Sequence, residues 1–278
     1  MPKKLACDTT KKIAMTFVPP KEVLLTVITV VRNDPVRLAV TIESLAGLYG
    51  KDGFEHIVVD GNSTDQQTLR LIGETTKNQN FQFLSEPDDG IYDAMNKGAR
   101  HASGRFLLFL NCGDRLIASS SQLVAWLDSS DTMRGIDLAC FDCQLRNGAR
   151  LTWLKPQCGA LHKMPTSHQA MVFSRDFMYS NPYDLRYGIA ADFNLYMSAN
   201  AGHMMSLPDR LLTDIEVVGV ASENPARAYK EYLQIAYRKL RGWNRCVALA
   251  RIGCKGALVI VLKVLLPRQW VHGLRRLV

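Results

Sequence analysis

The sequence lacks most of what marks a secreted, membrane-spanning or nucleic-acid-binding protein. Its seven cysteines are odd in number and follow no framework spacing, which argues against a disulfide-stapled fold and fits a reducing cytoplasm. The close pair Cys140 and Cys143 lies in a strand-like stretch, 136–145, where positions three apart point to opposite faces, and no second pair completes a metal site. Residues 1–22, an N-terminal extension, hold Lys3, Lys4, Lys11 and Lys12 with no apolar core between them, so no signal peptide is expected. The apolar run of the tail, 256–266 (GALVIVLKVLL), is broken by Lys263 and falls short of the about 20 residues that span a bilayer. A net charge of +8 raises the question of nucleic acid, but no recognition motif accompanies it, so no nucleic-acid partner is expected.

What is present is a series of apolar runs, each delivering a polar loop. A chain of 278 residues with 47% hydrophobic content suits one large α/β domain with an appendage. Residues 23–31 (VLLTVITVV) run into Arg32, Asn33, Asp34 and Pro35, and residues 54–59 run into Asp60, Gly61, Asn62, Ser63, Thr64 and Asp65. Residues 106–110 (FLLFL) run into Asn111, Cys112, Gly113 and Asp114. Between them, 36–48 place Val36, Val40, Leu45 and Leu48 near helical spacing, and 66–77 read as a second helix. Strands alternating with helices predict a parallel sheet covered on both faces. Three polar loops then share its carboxyl edge, where open α/β sheets bind ligands.

In this order and spacing, TVITVVRN, VVDGNSTD, EPDDGIYDAMNKG and GRFLLFLNCGD resemble glycosyltransferase family 2 enzymes of the GT-A fold. The likeness is to bacterial exopolysaccharide enzymes such as the colanic acid biosynthesis glycosyltransferases, and it spans 24–219. It implies a GT-A domain over 23–219, Rossmann-like, with a mostly parallel sheet and flanking helices. The implied reaction moves a sugar from a nucleotide-sugar donor to a saccharide acceptor in surface polysaccharide synthesis, with inversion.

The resemblance also implies roles for single residues. Thr29, Arg32 and Asp60 fall where the family holds the nucleotide base and ribose. Asp93 and Lys97 stand four apart on one helix, either an ordinary ion pair at an acidic helix start or, as the resemblance has it, groups aimed at the donor. His168 and Gln169, in TSHQA (166–170), match an element near the sugar or pyrophosphate. The family's acidic metal motif falls on Asn111 to Asp114, where relatives carry two or three carboxylates and this chain has Asp114 alone. A Mg²⁺ or Mn²⁺ ion can be shared between one carboxylate and substrate phosphates, with Asn111 lending a carbonyl oxygen. Asp192, opening a predicted helix over 190–202 with Leu195 three residues on, matches the family's general base. An ordinary Asp is a weak base, so burial has to raise its proton affinity. Two other readings compete: an inactive nucleotide-sugar-binding protein, suggested by the thin acidic turn, and a nucleotidyltransferase. The latter calls for a glycine-rich, basic phosphate loop after the first strand, which Arg32-Asn33-Asp34-Pro35 is not.

The charge is concentrated. Residues 220–278 hold twelve Lys and Arg against Glu223 and Glu231, a surplus of ten, which leaves the rest of the chain at −2. Wound as one helix, the basic residues from Arg227 to Lys263 except Lys239 fall within about 140° of arc, although Gly242, Gly253 and Gly256 argue against a single unbroken helix. Basic and apolar together, the tail is expected to dock on an anionic membrane surface, with the protein peripheral on the inner face of the cytoplasmic membrane. A lipid-linked saccharide acceptor follows from that and the resemblance. Packing of the apolar run on the domain or on a second subunit is the alternative.

Overall fold

The structure, a computed structural model, describes residues 22–128, 133–217 and 224–265; the N-terminal extension and the end of the tail lie outside the described residues. The first half is the strand–helix alternation anticipated above. It runs β1 (Leu25–Val31), α1 (Pro35–Ser44), β2 (Phe54–Asp60), α2 (Gln66–Thr75), β3 (Phe81–Ser85), α3 (Ile91–His101) and β4 (Phe106–Phe109). These strands lie in the order β3-β2-β1-β4, all parallel. Every residue of β1, β2 and β4 is buried, which is why they read as unbroken apolar runs. α3 covers one face, setting Ala94 and Met95 against Ile28, Val30, Ile57 and Val59. On the other face Leu38 of α1 and Ile72 of α2 pack on Val31 and Val58. Two acidic residues of the polar loops have local work: Asp34 and Asp65 cap α1 and α2 by accepting the Arg37 and Thr68 N–H.

The second half turns the sheet over. It comprises β5 (Arg115–Leu116), α4 (Ser120–Leu127), β6 (Leu138–Asn147), β7 (Arg150–Leu154), β8 (Met171–Ser174), α5 (Arg175–Ser180), α6 (Ala191–Tyr196) and β9 (Met204–Glu216). The sheet continues from β4 as β8-β6-β9-β5, with β7 hanging on β6. β8 is antiparallel to β4 and β6, whereas β6 and β9 are parallel. The register between β6 and β9 shifts at Asp142, whose Oδ2 accepts the Asp209 N–H at 3.1 Å.

Two helices follow, α7 (Pro225–Lys239) and α8 (Gly242–Leu265). The break comes at Leu240, which caps α7 in an extended conformation, so the basic arc is divided between two helices. That break falls beside Gly242, as the glycine suggests, whereas α8 runs straight through Gly253 and Gly256; Gly256 lets the Tyr229 ring approach to 2.8 Å of where a Cβ would stand. α7 is anchored in the hydrophobic core: Ile235 is fully buried beside Phe193 and Tyr196 of α6. α8 packs back on it through Ala248 and Ile252 against Ala236 and Leu240.

Candidate active site

The strand register brings the loops after β1, β2 and β4 to one edge. β1 lies between β2 and β4, with Val31 opposite Asp60 and Ile28 opposite Phe109. Asp60 ends β2 and Asn111 follows β4, strands two apart and so about 10 Å in lateral spacing. Asp60 is fully buried, and its carboxylate accepts the Ser63 N–H at 3.1–3.2 Å and the Ser85 hydroxyl at 2.7 Å. Asn33 ties the neighbouring loop down by accepting the Thr64 and Asp65 N–H at 2.8 and 3.0 Å. Asp88 and Arg32 lie over Gly61: a Cβ there would come within 2.2 Å of Asp88 Oδ2 and 3.5 Å of Arg32 Cδ. Arg32 is exposed. Thr29 is turned inward, its hydroxyl 3.0 Å from His56 Nε2, and burial pushes the His56 pKa down to about 3. Asp93 and Lys97 pair at 3.1 Å, and Lys97 also meets Glu86 at 3.2 Å and donates to the Pro87 carbonyl at 2.5 Å. With Asp93 accepting the Asp89 N–H, this pair fastens the 86–93 loop beside Asp60.

The turn after β4 is held from several sides. The Thr41 hydroxyl of α1 donates to the Asp114 carbonyl at 2.8 Å and accepts the Gly113 N–H at 3.0 Å. Asp114 Oδ1 accepts the Glu216 N–H at 2.9 Å, Glu216 pairs with Arg37 at 2.9 Å, and Arg146 donates to the Gly113 carbonyl. Asp114 is almost fully buried, and burial lifts its pKa to about 7 despite Glu216 N–H, Arg37 and a bond from Gln169. Asn111 Oδ1 is buried with no hydrogen-bond partner among the described residues. Gln169 thus joins Asp114, and its neighbour His168 points the other way. His168 stacks on Phe109 at 5.5 Å and bonds the Tyr183 hydroxyl through Nε2; burial pushes its pKa down to about 4, so it is a neutral interior group.

Asp192 opens α6 on the far side of this path. It is half-buried, accepts the Phe193 N–H at 2.7 Å and is bonded by the Tyr92 hydroxyl, which also reaches the Ile189 carbonyl at 2.9 Å. Burial lifts the Asp192 pKa to about 6, the shift a carboxylate needs to act as a base near neutrality. Tyr92 and Tyr183 face each other at 5.1 Å, so α3, the 3₁₀ turn at His168–Ala170 and α6 meet in one aromatic cluster. Tyr92, Tyr183, Ser63, Ser85 and Glu216 were not singled out in the sequence. Tyr92 and Ser63 had a signal, their places in the EPDDGIYDAMNKG and VVDGNSTD segments.

The chain matches the family model Glycosyl transferase family 2 over residues 26–131, which carry β1 through α4. An uncharacterized glycosyltransferase of Mycobacterium tuberculosis is 33% identical over 187 residues, 62% of this chain and 67% of that protein. The chain belongs to glycosyltransferase family 2. A PGL/p-HBAD biosynthesis glycosyltransferase of Mycobacterium bovis is 32% identical over 157 residues, 53% of this chain and 59% of its relative. Among solved structures, S. aureus TarS 1-349 in complex with UDP superposes with a TM-score of 0.63 at 18% identity, covering 82% of this chain and 70% of that one. The mannosyltransferase PcManGT from Pyrobaculum calidifontis, in complex with GDP-Man and Mn²⁺, gives 0.57 at 16% identity, covering 91% and 78%. The mixed α/β fold of this family 2 glycosyltransferase, a curled, mostly parallel sheet with flanking helices, is the GT-A architecture of those structures.

Proposed function

We propose that this family 2 glycosyltransferase transfers a sugar from a nucleoside-diphosphate sugar to a hydroxyl of a saccharide acceptor by a single inverting displacement. The observation that carries it is Asp192, a carboxylate at the opening of α6 that the Tyr92 hydroxyl bonds, that stands in the Tyr92–Tyr183–His168 aromatic cluster, and that burial lifts to a pKa of about 6. Asp192 takes the proton of the acceptor hydroxyl as that oxygen attacks the anomeric carbon. The bond from that carbon to the diphosphate oxygen breaks, and the nucleoside diphosphate leaves with the electron pair. Asp60, Arg32 and the 86–93 loop, shaped by Asp93 and Lys97, hold the nucleoside; Thr29 supports Asp60's strand through His56. The UDP and GDP-Man complexes of the two structural neighbours favour this donor class.

Asn111 and Asp114 suit a divalent cation, Mg²⁺ or Mn²⁺. The unpartnered Asn111 Oδ1 is an oxygen ligand without other employment, and an adjacent cation would draw Asp114 back to its ionised form. No cluster of three acidic, His or Cys side chains stands among the described residues, so donor phosphates must complete the shell. When bound, such a cation offsets the charge on the departing diphosphate.

A lipid-linked acceptor in bacterial surface polysaccharide synthesis, met by a protein peripheral on the inner face of the cytoplasmic membrane, is favoured by α8. Among the described residues no helix is long and apolar enough to cross a membrane. Yet at 100° per residue Trp243, Ala250, Cys254 and Val261 fall within about 40° of arc, all exposed and opposite the face packed on α7. Trp243 is 80% and Val261 50% exposed. Arg251, Lys163 and Lys255 gather at the flank around His162, whose pKa is held down by burial and by those charges. An apolar strip with a basic margin is the pattern of an interfacial helix.

A panel of UDP-, GDP- and dTDP-sugars, tested on the full chain with and without Mn²⁺, checks the reading. One donor should raise the melting temperature and be slowly hydrolysed. Stabilisation without hydrolysis or transfer supports the inactive binding protein that the single-carboxylate turn suggests, and no response to any member sinks both.

A further inference from the structure

α6 opens without a side-chain cap of its own: Ala190 stands at the N-cap position. The amides that lead into it are taken from across the molecule. Glu231 of α7, only 6% exposed, accepts the Gly188 N–H through Oε1 at 3.3 Å, and those of Ile189 and Ala190 through Oε2 at 2.8 and 2.9 Å. Three successive N–H groups, ending two residues before Asp192, converge on one carboxylate. Arg227, a turn earlier, pairs with Glu231 at 3.0 Å. Its guanidinium lies within 2.2 Å of where a Cβ on residue 188 would stand, so a side chain there would make it shift.

We propose that Glu231 is the positioning residue of the reaction centre: from a helix beyond the catalytic sheet, it fixes the backbone that aims Asp192 and supplies the negative charge beside it. This rests on reading Asp192 as the base. The titratable groups around Asp192 are Tyr92 from α3, Tyr183 from the loop before α6, and Glu231 and Tyr232 from α7, with Arg227 behind Glu231. Burial raises all three tyrosines well above their ordinary range, so they stay neutral. Burial would raise Glu231 too, but the Ile189 and Ala190 N–H and Arg227 outweigh it and hold it ionised. A fixed negative neighbour disfavours the Asp192 carboxylate and so keeps its proton affinity high.

The test is the ¹³C carboxyl titration of Asp192 by NMR in the full chain, its resonance assigned with D192N, alongside hydrolysis of the donor found in the panel. E231Q keeps an acceptor oxygen and loses the charge. The Asp192 midpoint should move down by about half a pH unit or more, and hydrolysis should fall about tenfold with donor affinity kept. E231D keeps the charge and shortens the reach by one methylene; it should hold the midpoint near that of the parent while hydrolysis falls, and it serves if E231Q does not fold. Normal midpoint and hydrolysis in these variants overturn the proposal. So does an unmoved midpoint in E231Q with donor binding and hydrolysis lost together, the mark of a merely structural residue. D192N separates the two layers: full hydrolysis in that variant removes the base itself, whereas an inactive D192N beside normal Glu231 variants removes only the positioning role.

Discussion

At the scale of single residues the three carboxylates Asp60, Asp114 and Asp192 are similar in sequence and unlike in place. Asp60 is spent on a serine N–H and a serine hydroxyl, Asp114 is buried behind Arg37 and Glu216, and Asp192 stands against tyrosines. These differences set their predictions. Asp192→Asn should cut turnover by about 10²-fold or more while leaving donor affinity nearly intact, measured by steady-state hydrolysis and calorimetry. It should also stabilise the fold at alkaline pH. The folded pKa of about 6 lies above the ordinary Asp value, so the folded state binds this proton more tightly than the unfolded chain. That stability is fully present below about pH 4 and is lost as pH rises through about 6. The variant should therefore melt higher than the parent at pH 8, by on the order of 1–2 kcal/mol, and not at pH 4; an equal melt at both values would mean an unperturbed Asp192. Asp114→Asn, with no second carboxylate in the turn to replace it, should abolish Mn²⁺-dependent nucleotide binding, and calorimetry showing that binding unchanged would remove the metal assignment.

The positions of these carboxylates were legible because each follows or opens a recognisable element. Their partners were not. Ser85, Glu216 and Glu231 reach them from 25, 102 and 39 residues away in the chain, and pairing across such distances leaves no local trace. His168 shows the reverse limit: a motif marked it, while its burial between Phe109 and Tyr183 is a tertiary fact.

At the scale of elements, β1, β2 and β4 were plain because strands buried on both faces must be apolar throughout. β9 was not, since MMSLPDRLLTDIE carries Pro208 and Asp209 at its register shift and shows neither alternation nor a clean apolar run. The helix predicted over 190–202 is shorter, Ala191–Tyr196, because the chain leaves it for the 3₁₀ turn Ala201–His203 and β9. α7 was read only as basic, yet its inner side is built for the core. Ile235→Ala removes a fully buried side chain packed with α6 and should cost about 2–5 kcal/mol, read from urea denaturation of the full chain. A loss under about half a kcal/mol, the range of surface substitutions, would show α7 to be a loosely attached appendage.

At the scale of the whole molecule the charge split has a direction: a near-neutral catalytic body and a basic end whose outermost helix leaves an apolar strip exposed. Two separable forces should then bind α8 to anionic lipid. Each basic residue near the surface contributes about 1 kcal/mol and is weakened by salt. Side chains such as Trp243, Leu258 and Val261 contribute up to about 1.5–3 kcal/mol each when fully buried, with little salt dependence. Flotation of the full chain with anionic liposomes should therefore weaken between low and high salt without vanishing. Trp243→Glu combined with Val261→Glu should cut most of the salt-resistant part, and Arg251→Glu should lessen the salt-sensitive part, with nucleotide binding untouched in both. Should the parent ignore liposomes and sediment as a dimer that the Trp243 and Val261 substitutions split, the strip is a contact between copies, and the acceptor need not be lipid-linked.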